Sequence, residues 1–505
     1  MRTVTVTITD TPLSVEELLA VADGAPVELA PAARATIEAS RAVVDTVLAS
    51  GDAVYGLTTQ VGHGKDVRLS DEQLRRQQET LVMTHAGGVG APLPARQVRA
   101  AVAARLNGIA RGGSGASLAA AEVLANMLNA GVHPVVPETG SVGAGDLGQM
   151  AGIAQVAIGR GLAEYRGETM PGGQALRRAG IRPLVLEPKD GLALLAANGI
   201  SIGHAVLVVH RAARAAAAAD VAVALSMEAI GGNPSIVLPP VARAKPFPGQ
   251  IEAADHLREV LAGSHLLERG AAHSVQDPLS FRVAPQVHGA LREYVAAARR
   301  AVEIELNSAS DNPLVSVQDQ TLMSNGNFHP MVLAIAFDAL RVAIAHVGQL
   351  SERRMSHLWD AFFQRMGAAG APPADSPAPP VHGLQLRYPA AALFTELKQL
   401  AAPATLDAPP LDIGVEDHGT SAPLSVRKAD TALGLLDDLL TVELLLAHDV
   451  LVTMPERPAM GTGTGHALRL VEEALAAAEP FPAAIHQRLR TRLPDLAAPP
   501  LKRDP

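Results

Sequence analysis

The stretch VVPETGSVGAGDLGQMAGIAQVAIGRG, Val135 to Gly161, decides how the chain folds. Its first half is a glycine-dense loop, Gly140-Ser141-Val142-Gly143-Ala144-Gly145. Its second half places Met150, Ile153, Val156 and Ile158 at helical spacing, with Asp146 as the expected N-cap. Glycines this close together let backbone approach backbone or a ligand. The helix start adds free amide donors and a partial positive charge, which suits an anion or an electron-rich group. Taken alone, the pattern also fits a tight loop feeding a buried helix.

Around this segment the chain runs to 505 residues, enough for two or three domains. It is Ala-rich, 48% hydrophobic and only 3% aromatic, which favours long, close-packed helices over a β-sandwich. The net charge is −9 with both signs interspersed, so no basic patch points to nucleic acid or an anionic membrane. With no cysteine there is no disulfide, thiolate nucleophile or cysteine metal site, and a cytoplasmic protein is expected. The N-terminus has no apolar signal core. The most membrane-like run, Gly191 to His210, is broken by Asn198, Ser201, Gly203 and His204, so it reads as a buried bundle helix.

The flanking segments follow the same logic. Arg2 to Asp10 alternates like a strand, and Ser14 to Ala22 reads as a helix with Glu17 at capping-box spacing from Ser14. Pro31 to Ala49 and Leu69 to Met83 read as helices, and Ala95 to Ala130 as one or two more. Between the first two lies AVYGLTTQVGHG, Ala53 to Gly64, a loop without helical period. Gly161 to Leu194 reads as a hairpin-like excursion and a short helix. Ala368 to Pro380 is Ala/Pro-rich and reads as a mobile loop.

Several of these segments together resemble the aromatic amino acid ammonia-lyases: histidine, phenylalanine and tyrosine ammonia-lyases and the related aminomutases. Tyr55, Gly56, Thr58, Thr59 and Gly62 match that family's Y-G-V-T-T-G-F-G. Gln276, Asp277, Pro278, Ser280, Arg282, Pro285, Gln286 and Gly289 match a second block. Asn307 to Pro313 matches N-S-x-x-D-N-P, Gly326 to His329 matches G-N-F-H, and Val415 to His418 matches Q-E-D-H with Val415 in place of Gln. The resemblance runs from about Tyr55 to His466. It implies a mainly α, ammonia-lyase/fumarase-like fold, with an N-terminal lobe carrying the loops over about 1–210. A long central helix bundle and C-terminal helices would follow over 211–505. It also implies a homotetramer whose sites combine residues of different subunits.

By the same resemblance, Tyr55 corresponds to the catalytic base and Glu416 to a carboxylate facing the substrate amine. His85 corresponds to a wall of the ring pocket, Asn198 and Arg282 to carboxylate ligands, Asn312 to a residue beside the active site, and Phe328 to one packed under the loop. Asn198 departs in spacing, because Leu195-Ala196-Ala197 precede it, about half a helical turn more than the family has. Leu279 stands where the family has a second catalytic tyrosine, and Val415 where it has glutamine. Arg282 suits a carboxylate because a guanidinium offers two parallel donors.

The largest departure is in the organising loop. The family reads Ala-Ser-Gly there, and that tripeptide cyclises and dehydrates to 4-methylidene-imidazol-5-one, the electrophile of its reaction. This chain reads Gly143-Ala144-Gly145-Asp146, with no hydroxyl at the centre. Ser141 is the only hydroxyl nearby, and Val142 would crowd a ring closing there. No electrophilic prosthetic group is therefore expected, and no metal, since the E-D-H run has no second His/Asp cluster at ligand spacing. Ammonia elimination needs a non-acidic β-proton removed and a poor leaving group expelled. One tyrosine cannot supply that barrier reduction, on the order of several kcal/mol. The expected enzyme is a lyase that uses Tyr55 as acid and base. Its substrate would be amino-acid-like and carry its own acidifying group, a better leaving group or activation for addition or cyclisation. Two alternatives stay open: a true aromatic or histidine ammonia-lyase or aminomutase with an unusual electrophile, and a non-catalytic binding or assembly partner.

Overall fold

The computed structural model describes residues 4–368, 381–476 and 481–496. Most of the segment Ala368 to Pro380, expected as a mobile loop, therefore lies outside the described residues. The described chain is mainly α-helical, with short strands at its edges, as the composition requires. It divides into two compact units. The first comprises residues 1–208, 298–337 and 403–427, and the second 209–297, 338–402 and 428–505. A single division near 210 leaves out the two later segments that rejoin the first unit. Several boundaries fall inside long helices, so no linear cut can separate the units.

The first unit opens with a small crossover. Val6–Ile8 pairs in parallel with Val27–Leu29, and the helix Val15–Ala22 connects them. Ser14 caps that helix as its spacing predicts: its hydroxyl accepts from Glu17 N–H while the Glu17 carboxylate accepts from Ser14 N–H. Helix Pro31–Ser50 starts on proline and ends on Gly51 at φ 75°, the left-handed cap that glycine adopts without strain. Helices Ala95–Ala110 and Leu118–Ala130 follow. Buried Arg99 donates to the carbonyls of Val21 and Leu128, so one guanidinium satisfies the C-terminal ends of two helices. The expected hairpin is Leu162–Tyr165 with Glu168–Pro171, turned by Arg166 and Gly167, both at positive φ.

Beneath the site lies a buried charge network. Arg105 grips Asp311 through two parallel bonds of 3.1 and 2.7 Å, and neither side chain is more than 2% exposed. Lys189 is also wholly buried, and its Nζ finds no partner. Burial pushes that ammonium down to about 8, which the charge of Asp311 opposes. Asp311 thus pairs with one buried cation and, with Asp190, opposes the burial of the other, which gives the acid of the D-N-P motif a structural role.

The second unit is built from long apolar helices. Glu443 accepts from Arg354 Nε and Nη2 at 2.5 and 2.9 Å and from Ser226 Oγ at 2.8 Å, and both charged groups are fully buried. Arg354 also donates to Ser280 O. Asp220 accepts from Arg292 and pairs with His256 and His288, and together these hold its carboxyl far below the usual range against its burial. The most apolar window of residues 190–230 is wholly buried, as expected for a bundle helix.

Candidate active site

Seven of the sequence-derived candidates line one cavity of about 360 Å³ in the first unit: Tyr55, His85, Ala144, Gly145, Asn312, Phe328 and Glu416. Leu81, Leu192 and Ala196 form an apolar wall, with Val61 and Leu147 packed on it. The size and the mix of apolar wall with a few convergent polar groups suit a small organic ligand.

The loop at Ala53–Gly64 turns back on itself, so Gly62 N–H donates to Tyr55 Oη at 3.2 Å. A donor aimed at that oxygen stabilises negative charge developing on it. Gly56 and Gly62 sit at φ 65° and 61°, and a Cβ on Gly62 would strike the Asp412 carboxylate. His85 ends the helix Asp71–His85, which Ser70 and Gln73 cap as a reciprocal pair. Its Nδ1 lies 2.9 Å from Leu81 O. A carbonyl only accepts, so Nδ1 carries the proton there and Nε2 is the acceptor nitrogen.

The segment that supplies Glu416 is a tight hairpin, with Leu411 and Glu416 exchanging backbone bonds of 2.7 and 3.2 Å. Within it Asp412, Ile413 and Gly414 are all left-handed, at φ 46°, 56° and 82°. For a β-branched residue such as Ile413 this is strained, at about 1–3 kcal/mol, and such strain concentrates at ligand sites. The turn brings both Asp412 and Glu416 to the cavity. Burial, and then the nearby Asp412 charge, push the Glu416 carboxyl above its usual range, while His85 pulls the other way. The hydrogen bond from His63 holds Asp412 below its usual range. His63 and Asp412 were not among the sequence candidates. They lie 349 positions apart, His63 just beyond the matched loop and Asp412 just before E-D-H, and only the fold joins them.

The organising loop presents Ala144 and Gly145 to the cavity, while Ser141 does not line it. The Ser141 hydroxyl accepts from Gly143 N–H at 3.0 Å and lies 2.9 Å from Asp146 Oδ1 and 3.2 Å from Gly145 O. The loop is held by Gly145 N–H to Phe328 O and by Thr420 Oγ1 to Gly143 O. Gly143 and Gly145 are at φ 79° and 73°, and a Cβ on Gly143 would strike Thr420. Asp146 does precede the helix Leu147–Ala157, but its side chain makes no cap bond there. It instead accepts from Ser201 N–H and Oγ at the start of the helix Gly199–Ile230. Asp146 thus holds the expected N-cap position, with its carbonyl accepting from Met150 N–H, but its wholly buried carboxylate serves the other helix.

Three candidates lie elsewhere. Asn198 does not line this cavity; the residues before it in the longer segment, Leu195 and Ala196, do. Asn198 is fully buried, neither side-chain polar atom finds a partner, and it faces a void of about 10 Å³ that Glu305 also lines. Leu279 and Arg282 belong to the helix Leu279–Arg282 of the second unit, where Leu279 is 60% exposed and Arg282 Nε has no partner. His418 of E-D-H pairs with His329 at 2.8 Å. No cluster of three or more His, Asp or Glu able to hold a metal ion occurs among the described residues.

Burial pushes Glu305 up to about 7 from its ordinary 4.5. The folded state then keeps a proton that the unfolded chain releases between those values, so stability falls as pH rises through that window. Glu305→Gln cannot ionise. It is expected to gain about 1–2 kcal/mol over the wild type at pH 8 relative to pH 5, read from urea midpoints at the two pH values. An equal difference at both would contradict this.

A family model described as aromatic amino acid lyase matches residues 13–473. A histidine ammonia-lyase of Anaeromyxobacter dehalogenans is 42% identical over 473 residues, covering 90% of this chain and 92% of its own. Among solved structures, ergothionase from Treponema denticola, described as an ergothioneine degrading enzyme, is similar at a TM-score of 0.90 and 26% identity, over 98% of this chain and 99% of that one. Tyrosine aminomutase from Streptomyces globisporus is similar at 0.89 and 28%, over 98% and 97%.

Proposed function

We propose, from the premise that this chain belongs to the aromatic amino acid lyase family, that it is a lyase working on an amino-acid-like carboxylate without a self-made electrophile. The observation that carries this reading is the cavity itself. Tyr55, His85 and Glu416 face it, while the loop contributes only Ala144 and Gly145. The residues present do not fit the family's methylidene ring. Its serine would be at the loop's centre, yet the one hydroxyl of this loop, Ser141, lies off the cavity and is engaged with its own loop and Asp146.

The side chains then divide the work. Tyr55 takes the β-proton, with Gly62 N–H holding charge on its oxygen. Glu416 holds a cationic nitrogen, and the apolar wall holds the substrate's body. Arg282 reaches the carboxylate from a second copy in a homotetramer. In support, Leu279 and Val275 on its segment are 60% and 97% exposed, apolar surface that a second copy would cover. Asn198 has no part in this scheme. The substrates that need no electrophile carry an acidified β-proton or a nitrogen that departs as a stable neutral amine. A trimethylated nitrogen such as that of ergothioneine is of the second kind.

The test is a panel of L-histidine, L-tyrosine and ergothioneine with the full-length protein, following alkene absorbance and released amine. The expected result is elimination from the betaine, with the primary amines left intact. The second reading is an ammonia-lyase acting on histidine, favoured by the name of the 42% identical relative. Rapid ammonia release from L-histidine would select it and overturn the first.

A further inference from the structure

His63 is a cavity residue that no role above employs. Its Nδ1 lies 2.6 Å from Asp412 Oδ1, and its backbone N–H donates to Asp412 Oδ2 at 2.8 Å. Two donors from one residue thus converge on both oxygens of one carboxylate. Asp412 is carried to that position by consecutive left-handed residues, so the pairing is kept at the expense of backbone strain. With Nδ1–H given to Asp412, Nε2 of the neutral ring is a free base. His63 follows Gly62, whose N–H holds Tyr55 Oη. One short loop therefore carries the N–H donor to Tyr55 Oη and an imidazole bonded to a carboxylate.

We propose that His63, positioned by Asp412, stores the proton that Tyr55 must give up before it can act as a base, and returns that proton to the leaving group. This deepens the lyase reading above and rests on it. A free phenol titrates near 10, so at neutral pH it needs such an acceptor. Tyr55 O–H passes its proton to His63 Nε2, leaving a phenolate on Gly62 N–H and an imidazolium on Asp412. The phenolate takes the Cβ proton. The C–H electron pair becomes the second bond of the alkene, and the Cα–X pair leaves with X. The imidazolium then protonates X. Tyr55 and His63 end as they began, and the substrate has become an alkene and HX, with no outside reactant. The charged and titratable groups facing His63 across the cavity are Asp412, Glu416, His85 and Tyr55. His63 is the proton-transferring residue, and Asp412 a positioning residue.

The test compares wild type with His63→Gln, Asp412→Asn and Tyr55→Phe on whichever panel compound turns over. His63→Gln is expected to lose at least about 100-fold in kcat at pH 7 with KM little changed. Its activity should climb about tenfold per pH unit toward the phenol's own titration, because solvent hydroxide must now deprotonate Tyr55, while wild type stays flat. Asp412→Asn should fall between the two. The His63 side chain is 66% exposed, so its replacement should leave thermal unfolding unchanged. A substrate-free arm uses diethyl pyrocarbonate, which acylates unprotonated imidazole, with peptide masses giving each site's rate. Asp412→Asn should speed His63 about threefold or more, because the imidazolium loses its carboxylate partner, and leave His265 unaltered. Turnover of His63→Gln within twofold of wild type with the same pH profile, or an unchanged acylation rate in Asp412→Asn, overturns the proposal. Turnover surviving in Tyr55→Phe overturns the lyase reading beneath it instead.

Discussion

Tyr55→Phe is expected to lower kcat by about 10²- to 10⁴-fold, with KM changed severalfold at most. The change removes one oxygen. That oxygen faces the cavity and is the acceptor for Gly62 N–H. The ring stays, so the cavity keeps its lining and the fold is not at stake. A loss confined to kcat is the mark of a group acting in the transition state rather than in binding. The comparison is made on the panel compound with the fastest wild-type turnover. Undiminished turnover would remove Tyr55 from the chemistry and leave the ordinary-side-chain account without its base.

The second large effect is on stability. Asp311→Ala is expected to cost about 3–5 kcal/mol, read as a lowered urea midpoint. Arg105 and Lys189 are both buried; Asp311 pairs with Arg105 and is the larger of two carboxylate charges, with Asp190, that favour the Lys189 cation. Removing it leaves two cations in a site water does not reach, which costs far more than the lost contacts alone. Arg105→Met should cost less, because the remaining Asp311 and Lys189 still carry opposite charges. Asn312, the next residue, reaches the cavity, and its Oδ1 accepts from Asn325 N–H, so the substituted protein should lose activity as well as stability. A cost under about 1 kcal/mol would show that solvent reaches this network.

Where chemistry is local, the sequence was a good guide. Ser14 and Glu17 are three positions apart, and their reciprocal cap needs nothing beyond that spacing. The glycine loop, the hairpin at Arg166-Gly167 and the helix around Ile153 are local in the same sense. Reading failed where a buried polar group could choose between partners. Asp146 sits at one helix start, yet it serves the next helix through Ser201. The longer segment before Asn198 puts Leu195 and Ala196 on the cavity in its place. The His63–Asp412 pair was not legible at all, because nothing in either segment signals a partner 349 residues away. The return of 298–337 and 403–427 to the first unit is of the same long-range kind. Those two segments carry Asn312, Phe328, Asp412 and Glu416, so the site itself is assembled by the long-range part of the fold.

The central claim is that Gly143-Ala144-Gly145 remains an ordinary peptide and that reactivity comes from side chains and substrate. Intact mass spectrometry of the purified protein tests this most directly, with no substrate required. The account predicts the mass of the unmodified 505-residue chain. A mass lower by two waters, mapped to the peptide containing residues 140–146, would contradict it.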